Sequence, residues 1–238
     1  IGEGLRVLEE LARLLLDDAE MSKQLKIVRH ELVGIDWSLK RGLITARNSE
    51  EDVGAFTDVP GEARREDLPA IAMANAGRVE ESLRVVEEFS KLPEVELDSA
   101  KFKEARFALY GIEKTLVGRL LRHDKKGRIV GLYVIIDPEA INRSCEEVAS
   151  RAIRGGAGVI QLRDKNHTKR EMLQIAKGLK GVCAEHRALF IVNDHIDVAI
   201  ASGADGVHLG QSDLPIREAR RILPIGEIIG CSTATLDE

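Results

Sequence analysis

No stretch of this chain approaches the roughly 18–20 consecutive apolar residues needed to cross a bilayer, and no signal-peptide pattern opens it. Cysteine is scarce. Cys145, Cys183 and Cys231 stand far apart without CxxC spacing, which removes the usual zinc and redox motifs. They read as small buried hydrophobes in a reducing cytosol, so a cytoplasmic location is expected. Positive charge is not in excess: the formal net charge is −5, against the basic face of a nucleic-acid binder. A GxxxxGK[ST] nucleotide loop is missing as well. So is an initiating methionine. The chain starts at Ile1 inside a helical pattern and stops at Glu238 just past a polar strand end, and both ends read as truncations of a longer protein. What is present is a globular composition, 44% hydrophobic and 32% charged, over 238 residues, enough for one large domain or two modest ones.

The first half repeats itself. Glu3-Gly4-Leu5-Arg6-Val7-Leu8-Glu9-Glu10-Leu11 returns as Glu81-Ser82-Leu83-Arg84-Val85-Val86-Glu87-Glu88-Phe89. Leu25-Lys26-Ile27-Val28-Arg29 through Ile35-Asp36 returns as Phe102-Lys103-Glu104-Ala105-Arg106 through Ile112-Glu113. Such self-similarity marks a repeated supersecondary unit. Here it predicts two helical hairpins joined by an irregular link carrying Asp52-Val53-Gly54, Pro60 and Pro69. Leu5, Leu8, Ala12 and Leu15 fall on one helical face, as do Leu83, Val86 and Phe89. The expected domain is all-helical over residues 1–121, followed by a charged linker over 122–130. Its Glu-x-x-Arg-x-x-Glu-Glu pattern has two readings. One is the salt-bridge ladder of a solvated helix face. The other is a phosphate-handling groove built on arginines that recur in both copies, with Arg84 and Arg106 as candidates.

From residue 131 the rhythm becomes strand, helix, strand. Apolar runs over 132–136, 158–160, 189–192, 206–209 and 228–230 read as short buried strands alternating with helices, which means a parallel sheet. Each run ends in polar groups: Gln161, Arg163, Asp164 and Lys165; Asn193 and Asp194; His208, Gln211 and Asp213; Ser232. Side chains gathered at the C-terminal ends of successive strands are where (β/α) barrels place their chemistry. Two acids with an arginine, a lysine and two amides describe a site for a metal ion and a polyanion. The expected fold is α/β, a partial (β/α)8 TIM barrel over 131–238 supplying five βα units, preceded by the all-α duplicated domain. Taken singly, Asp194 and Asp213 could instead cap the helices that follow them, and His195 and His208 read as structural.

The strand-end motifs resemble those of thiamine-phosphate synthases. That family shows Gln-x-Arg-x-Lys, Asn-Asp, His-x-Gly-Gln-x-Asp and Gly-x-Ser in this order. Here they are Gln161-x-Arg163-x-Lys165, Asn193-Asp194, His208-x-Gly210-Gln211-x-Asp213 and Gly230-Cys231-Ser232. Ala234 stands where the family often has a histidine. The first half resembles the helical domain fused ahead of some of these synthases, described as a hydroxymethylpyrimidine-phosphate kinase family. That likeness rests on Asp52-Val53-Gly54, Ala74-Asn75-x-x-Arg78-x-x-Glu81 and Leu83-Arg84-Val85-x-Glu87-Glu88.

The resemblance implies a transferase that couples hydroxymethylpyrimidine diphosphate to thiazole phosphate and releases pyrophosphate, without a covalent nucleophile. Gln161, Arg163, Lys165, Asn193 and Ser232 would then bind the pyrimidine diphosphate, and Asp194 and Asp213 would bind Mg²⁺. The thiazole-phosphate contacts would fall beyond Glu238, so this fragment alone is expected to be inactive in coupling. Neither nucleic acid nor membrane is an expected partner, and a homo-oligomer stays open. Two other readings stand beside this one. The chain could be a non-catalytic regulatory relative of the barrel, or another metal-dependent barrel enzyme acting on a phosphorylated sugar.

Overall fold

The computed structural model describes residues 1–34, 41–42, 44–48 and 64–235, and it divides into two units, Ile1–Val117 and Gly118–Glu238. Ile35, Asp36, the Asp52-Val53-Gly54 motif and Pro60 lie outside the described residues. Among the described residues no helix is long and apolar enough to cross a membrane.

The first unit is helical. Helix α1 (Gly2–Glu10) runs into a π-helical turn at Leu11–Leu15, where the Leu16 N–H reaches back to the Leu11 carbonyl. Helix α2 is Ala19–Val33, capped by Asp18, whose carboxylate accepts the Met21 N–H at 3.1 Å. Helices α3 (Leu68–Phe89) and α4 (Ser99–Gly127) follow. Helix α1 packs on both α2 and α3. A side chain at Gly4 would collide with Val79 and the Asn75 carbonyl, so this glycine allows α1 and α3 to cross closely.

Leu5, Leu8, Ala12 and Leu83 are buried as expected. Leu15 is only half-buried, because the wider π turn rotates it off the stripe. Two further expectations fail. Phe89 is exposed and Val86 half-buried, while the stripe of α3 continues through Ala72, Ala76, Val79 and Leu83 to Glu87 and Ser90. Steps of three and four from Leu83 lead to Glu87, and arginine partners make its burial tolerable. Pro69 belongs to the first turn of α3, where it lacks only an N–H that would be orphaned anyway. The stretch 122–127, expected as linker, forms the last turns of α4. It contains no breaker before Gly127, and Lys125 and Lys126 suit the negative end of the helix dipole. The division between the two units falls inside this helix.

The second unit contains β1 (Leu132–Ile136), α5 (Cys145–Arg154), β2 (Ala157–Leu162), α6 (Lys169–Glu185) and β3 (Leu189–Asn193). It continues with α7 (Ile196–Ser202), β4 (Gly206–Leu209), α8 (Ile216–Ile222) and β5 (Ile228–Cys231). All four strand pairings are parallel, and the sheet order is β1-β2-β3-β4-β5. Sequential order without a reversal is that of a (β/α) barrel. A doubly wound sheet switches direction partway.

Local signals place the elements. Ser144 caps α5, and Thr168 with Glu171 forms a capping box on α6. Gly203, at φ 68°, ends α7 in the left-handed conformation that glycine adopts without cost. Period two then sorts the strand residues. Ile160, Leu162, Phe190, Val192, Val207 and Leu209 pack with the helices. Val159, Leu189, Ile191 and Ile228 form a second cluster on the opposite face. Continued toward the C-terminal strand ends, that second face carries Gln161, Asn193 and His208. Cys145 and Cys183 are buried and Cys231 half-buried, all three as free thiols.

Candidate active site at the strand ends

Gln161 is the first polar residue on the inner face of β2, and it is 3% exposed. Burying an amide is costly unless it is hydrogen-bonded; its Nε2 donates to Asn193 Oδ1 on β3 at 2.7 Å. Asn193 pairs in register with His208 on β4, and His208 with Gly230 on β5. The glycine is needed there, because a Cβ would lie 2.6 Å from the His208 ring. With that room His208 reaches along the strand ends, its Nε2 2.9 Å from Ser232 Oγ. Gln211 Nε2 donates to the Ser232 carbonyl at 2.6 Å, fixing the backbone beside the hydroxyl.

The two acids come together. Asp194 stands at φ 61°, a left-handed conformation that Asp tolerates better than most residues. Its N–H donates to the His208 carbonyl at 2.8 Å, which anchors the turn after β3. The Asp194 carboxyl is pushed above its ordinary range by burial, and then by a hydrogen bond and charge repulsion from Asp213; His195 and Arg163 pull the other way. Asp213 Oδ2 accepts the Gly210 N–H at 2.6 Å. Neither acid caps a helix: α7 is preceded by His195 and α8 by Pro215. The capping alternative is thereby excluded for both.

The cations are less uniform. Arg163 continues the alternation of Gln161, and among the described residues its carboxylate partner is Asp137 at the end of β1, at 4.0 Å. Lys165 does not continue it. The strand ends at Leu162, and the Asp164 carboxylate accepts the N–H groups of Asn166 and His167, folding the backbone into a turn with Lys165 near its tip. The expectation of one extended segment holding all three side chains therefore fails at Asp164. Lys165 has no hydrogen-bond or ion-pair partner among the described residues. His195 bonds to Lys169, at 2.6 Å, in keeping with a structural role.

Sequence reasoning gives no site role to Asp137 or Asp164 here, and reads His208 as a structural or supporting residue, which its bond to Ser232 fits. Asp137 was legible as a polar strand end, and Asp164 as the residue between two chosen cations. The contact between His208 and Ser232 depends on a register between strands, which sequence does not display.

In the helical unit Arg84 and Arg106 also converge, on one carboxylate. Glu87 takes Arg84 Nη1 at 2.7 Å and Arg106 Nη2 at 2.9 Å. The first copy repeats the arrangement, with Glu9 taking Arg6 at 3.2 Å and Arg29 at 3.0 Å. The i,i+4 partners Glu88 and Glu10 complete the ladder on Arg84 and Arg6. Arg84 and Arg106 line a cavity of about 560 Å³ with Gly77, Glu80, Glu81, Val85 and Tyr110. Both guanidinium groups bond to Glu87, Arg84 also to Glu88 and Arg106 also to Tyr110, while Arg106 Nε is buried without a hydrogen-bond partner among the described residues.

Residues 132–238 match the family model described as thiamine monophosphate synthase, and residues 1–115 match that of the ThiD2 family. The thiamine-phosphate synthase of Synechocystis sp. is 38% identical over 99% of this chain and 66% of its own length. That of Synechococcus sp. strain CC9311 is 38% identical over 99% of this chain and 67% of its own. A solved structure, thiamine phosphate pyrophosphorylase from Pyrococcus furiosus, is 42% identical over 48% of this chain and 55% of its own, at a TM-score of 0.44. The chain spans just under two thirds of the length of the Synechocystis relative and just over two thirds of the Synechococcus one. By this identity along its whole length, the chain belongs to the thiamine-phosphate synthase family.

Proposed function

We propose that the protein carrying these residues is a transferase that joins hydroxymethylpyrimidine diphosphate to thiazole phosphate and releases pyrophosphate. In this reading the strand ends bind the pyrimidine diphosphate. One observation carries the proposal. Asp194 and Asp213 meet each other rather than a cation, so burial and repulsion hold the Asp194 carboxyl above its ordinary range. Arg163, paired among the described residues with Asp137 only at 4.0 Å, is near enough to act on Asp194, and Lys165 follows two residues later with no partner among the described residues. A ligand that brings both a cation and an anion would balance such a set.

The residues fit Mg²⁺. Two carboxylates are available, and among the described residues no group of three His, Cys, Asp or Glu side chains could hold a metal by itself. A magnesium ion commonly takes one or two carboxylates and completes its shell with phosphate oxygens and water. Asp194 and Asp213 would hold it, and when bound it neutralises charge on the departing diphosphate. Arg163 offers a planar fork and Lys165 a point charge to the same anion. The Gln161–Asn193 bond leaves Gln161 Oε1 and Asn193 Nδ2 to meet an acceptor–donor pair such as an aminopyrimidine edge. Ser232, held by His208, can donate to a phosphate oxygen.

The methylene carbon–oxygen bond then breaks with its electron pair leaving on pyrophosphate, and the thiazole nitrogen lone pair forms the new carbon–nitrogen bond. The protein contributes position and electrostatics, and no side chain becomes covalently attached. To test this, the product of the entire reading frame is given both substrates with Mg²⁺, and pyrophosphate and thiamine phosphate are measured. Equimolar formation of the two is expected. Turnover of a phosphorylated sugar instead would move the chain to another metal-dependent barrel enzyme, and no turnover with either would favour a non-catalytic relative.

A further inference from the structure

The residue between Arg163 and Lys165 is a carboxylate, which is the wrong sign for an anion site. It is nevertheless almost wholly hidden, its side chain 1% exposed. Asp164 Oδ1 accepts three donors: the N–H of His167 at 3.1 Å, the N–H of Asn166 at 3.2 Å, and His167 Nδ1 at 3.1 Å. The turn is tied on its other side as well, since Asn166 Nδ2 donates to Glu139 in the segment after β1. The Thr168–Glu171 capping box fixes where α6 begins, directly behind it. The bond and charge of Asp164, with lesser help from Glu171 and Glu139, raise the His167 ring above its ordinary value, which favours the form that cancels the aspartate. A buried carboxylate whose Oδ1 is taken up by three donors shapes the backbone, while its Oδ2 is buried with no hydrogen-bond partner among the described residues.

Resting on the reading above, we propose that Asp164 is a positioning residue: by tying the turn to His167 and Asn166 it aims Lys165, on its long flexible stem, at the diphosphate. Fixing the base of a flexible cation in advance removes part of the ordering cost that binding would otherwise incur.

The experiment is a double-mutant cycle read by the affinity of inorganic pyrophosphate with Mg²⁺, measured by calorimetry on the product of the entire reading frame. Lys165→Ala and Asp164→Ala are each expected to weaken binding by about tenfold, the scale of one charge-assisted hydrogen bond. Once Lys165 is gone, Asp164→Ala should cost less than about twofold more, because residues acting through one contact are not additive. Asp164→Asn keeps the acceptor oxygen and should bind nearly as well as the parent. Additive losses, or an unchanged affinity in Asp164→Ala beside a weakened Lys165→Ala, overturn the inference alone. Unchanged affinity in Lys165→Ala overturns the anion site itself. If Asp164→Ala does not fold, the cycle is run with Asp164→Ser, which keeps a shorter acceptor and loses the His167 ring, and the same two outcomes decide.

Discussion

Both units are rich in carboxylates and guanidinium groups, and they use them in opposite ways. In the helical unit each buried carboxylate, Glu9 or Glu87, is met by two arginines, one on its own helix and one reaching across. At the strand ends Asp194 is met by Asp213, while among the described residues Arg163 reaches Asp137 only at 4.0 Å and Lys165 has no partner. A charge that finds its partner inside the chain has little left to offer a ligand. One left facing its own sign holds a proton or takes a cation from outside. Faithful repetition of the Glu-x-x-Arg-x-x-Glu-Glu pattern therefore follows from a repeated packing problem, the burial of one glutamate at a helix contact.

The largest effect should come from the unbalanced acids. Asp194→Asn and Asp213→Asn in the product of the entire reading frame should each lower pyrophosphate release by at least about 100-fold, the scale of losing one preorganised stabiliser of developing charge. Glu87→Gln, measured where the helical unit is still folded, should leave the rate near that of the parent. A loss from Glu87→Gln as deep as that from Asp194→Asn breaks the comparison.

A middle-sized effect concerns the cations. Arg163→Ala and Lys165→Ala should each weaken pyrophosphate binding by about 1.5–3 kcal/mol, whereas Arg84→Ala and Arg106→Ala should not change it. Calorimetric titrations of the four variants decide the matter. If Arg106→Ala weakens binding as much as Arg163→Ala, a phosphate groove in the helical unit is restored.

The helical arginines should instead show in stability. Glu87→Gln leaves the largely buried Arg106 with a neutral partner, and Glu9→Gln does the same to Arg29, so each should lower the melting temperature of the helical unit by several degrees. The two losses should be similar, because the two networks are copies. Thermal unfolding followed by circular dichroism on both variants provides the check. A large loss from one and none from the other would mean that the duplication is one of sequence without duplicated energetics.

Most of the barrel half was legible in the sequence because its signals are local. Apolar runs ended by polar residues give β1 to β5, and Ser144, Thr168 and Gly203 mark helix ends by side-chain and backbone chemistry that needs no tertiary partner. The helical half was less so. Phe89 looked like a core residue and Glu87 like a surface one, and a partner helix reverses both by bringing Arg106 to Glu87. At the site, Gln161, Arg163, Asn193, Asp194 and Asp213 were chosen by residue type and strand position. The error at Lys165 came from extending period two past Asp164, whose carboxylate competes for the backbone N–H groups that a strand would need.

The smallest effect comes from the one place where the helical unit resembles the strand ends. Glu80 on α3 hydrogen-bonds with Glu113 on α4 and is pushed up to about 7, by burial first and then by the charge and hydrogen bond of Glu113, with Arg106 opposing. One of its oxygens is buried without a hydrogen-bond partner among the described residues. The folded value lies above the ordinary carboxyl value of 4.5, so between the two the folded state holds a proton that the unfolded chain releases. Stability of the helical unit should therefore be greatest below about 4.5, fall as pH rises toward about 7, and level off above that. Much of the side chain is solvated, and screening keeps the whole change within about 1 kcal/mol. Glu80→Gln fixes the neutral form. It should match the parent at low pH, exceed it slightly above pH 7, and remove this part of the pH slope in urea unfolding series. It should also leave pyrophosphate release unchanged, because Glu80 is not among the residues proposed to hold the metal or the diphosphate. If Glu80→Gln abolishes turnover, the helical unit holds an unbalanced acid of its own, and the division between the two units does not stand.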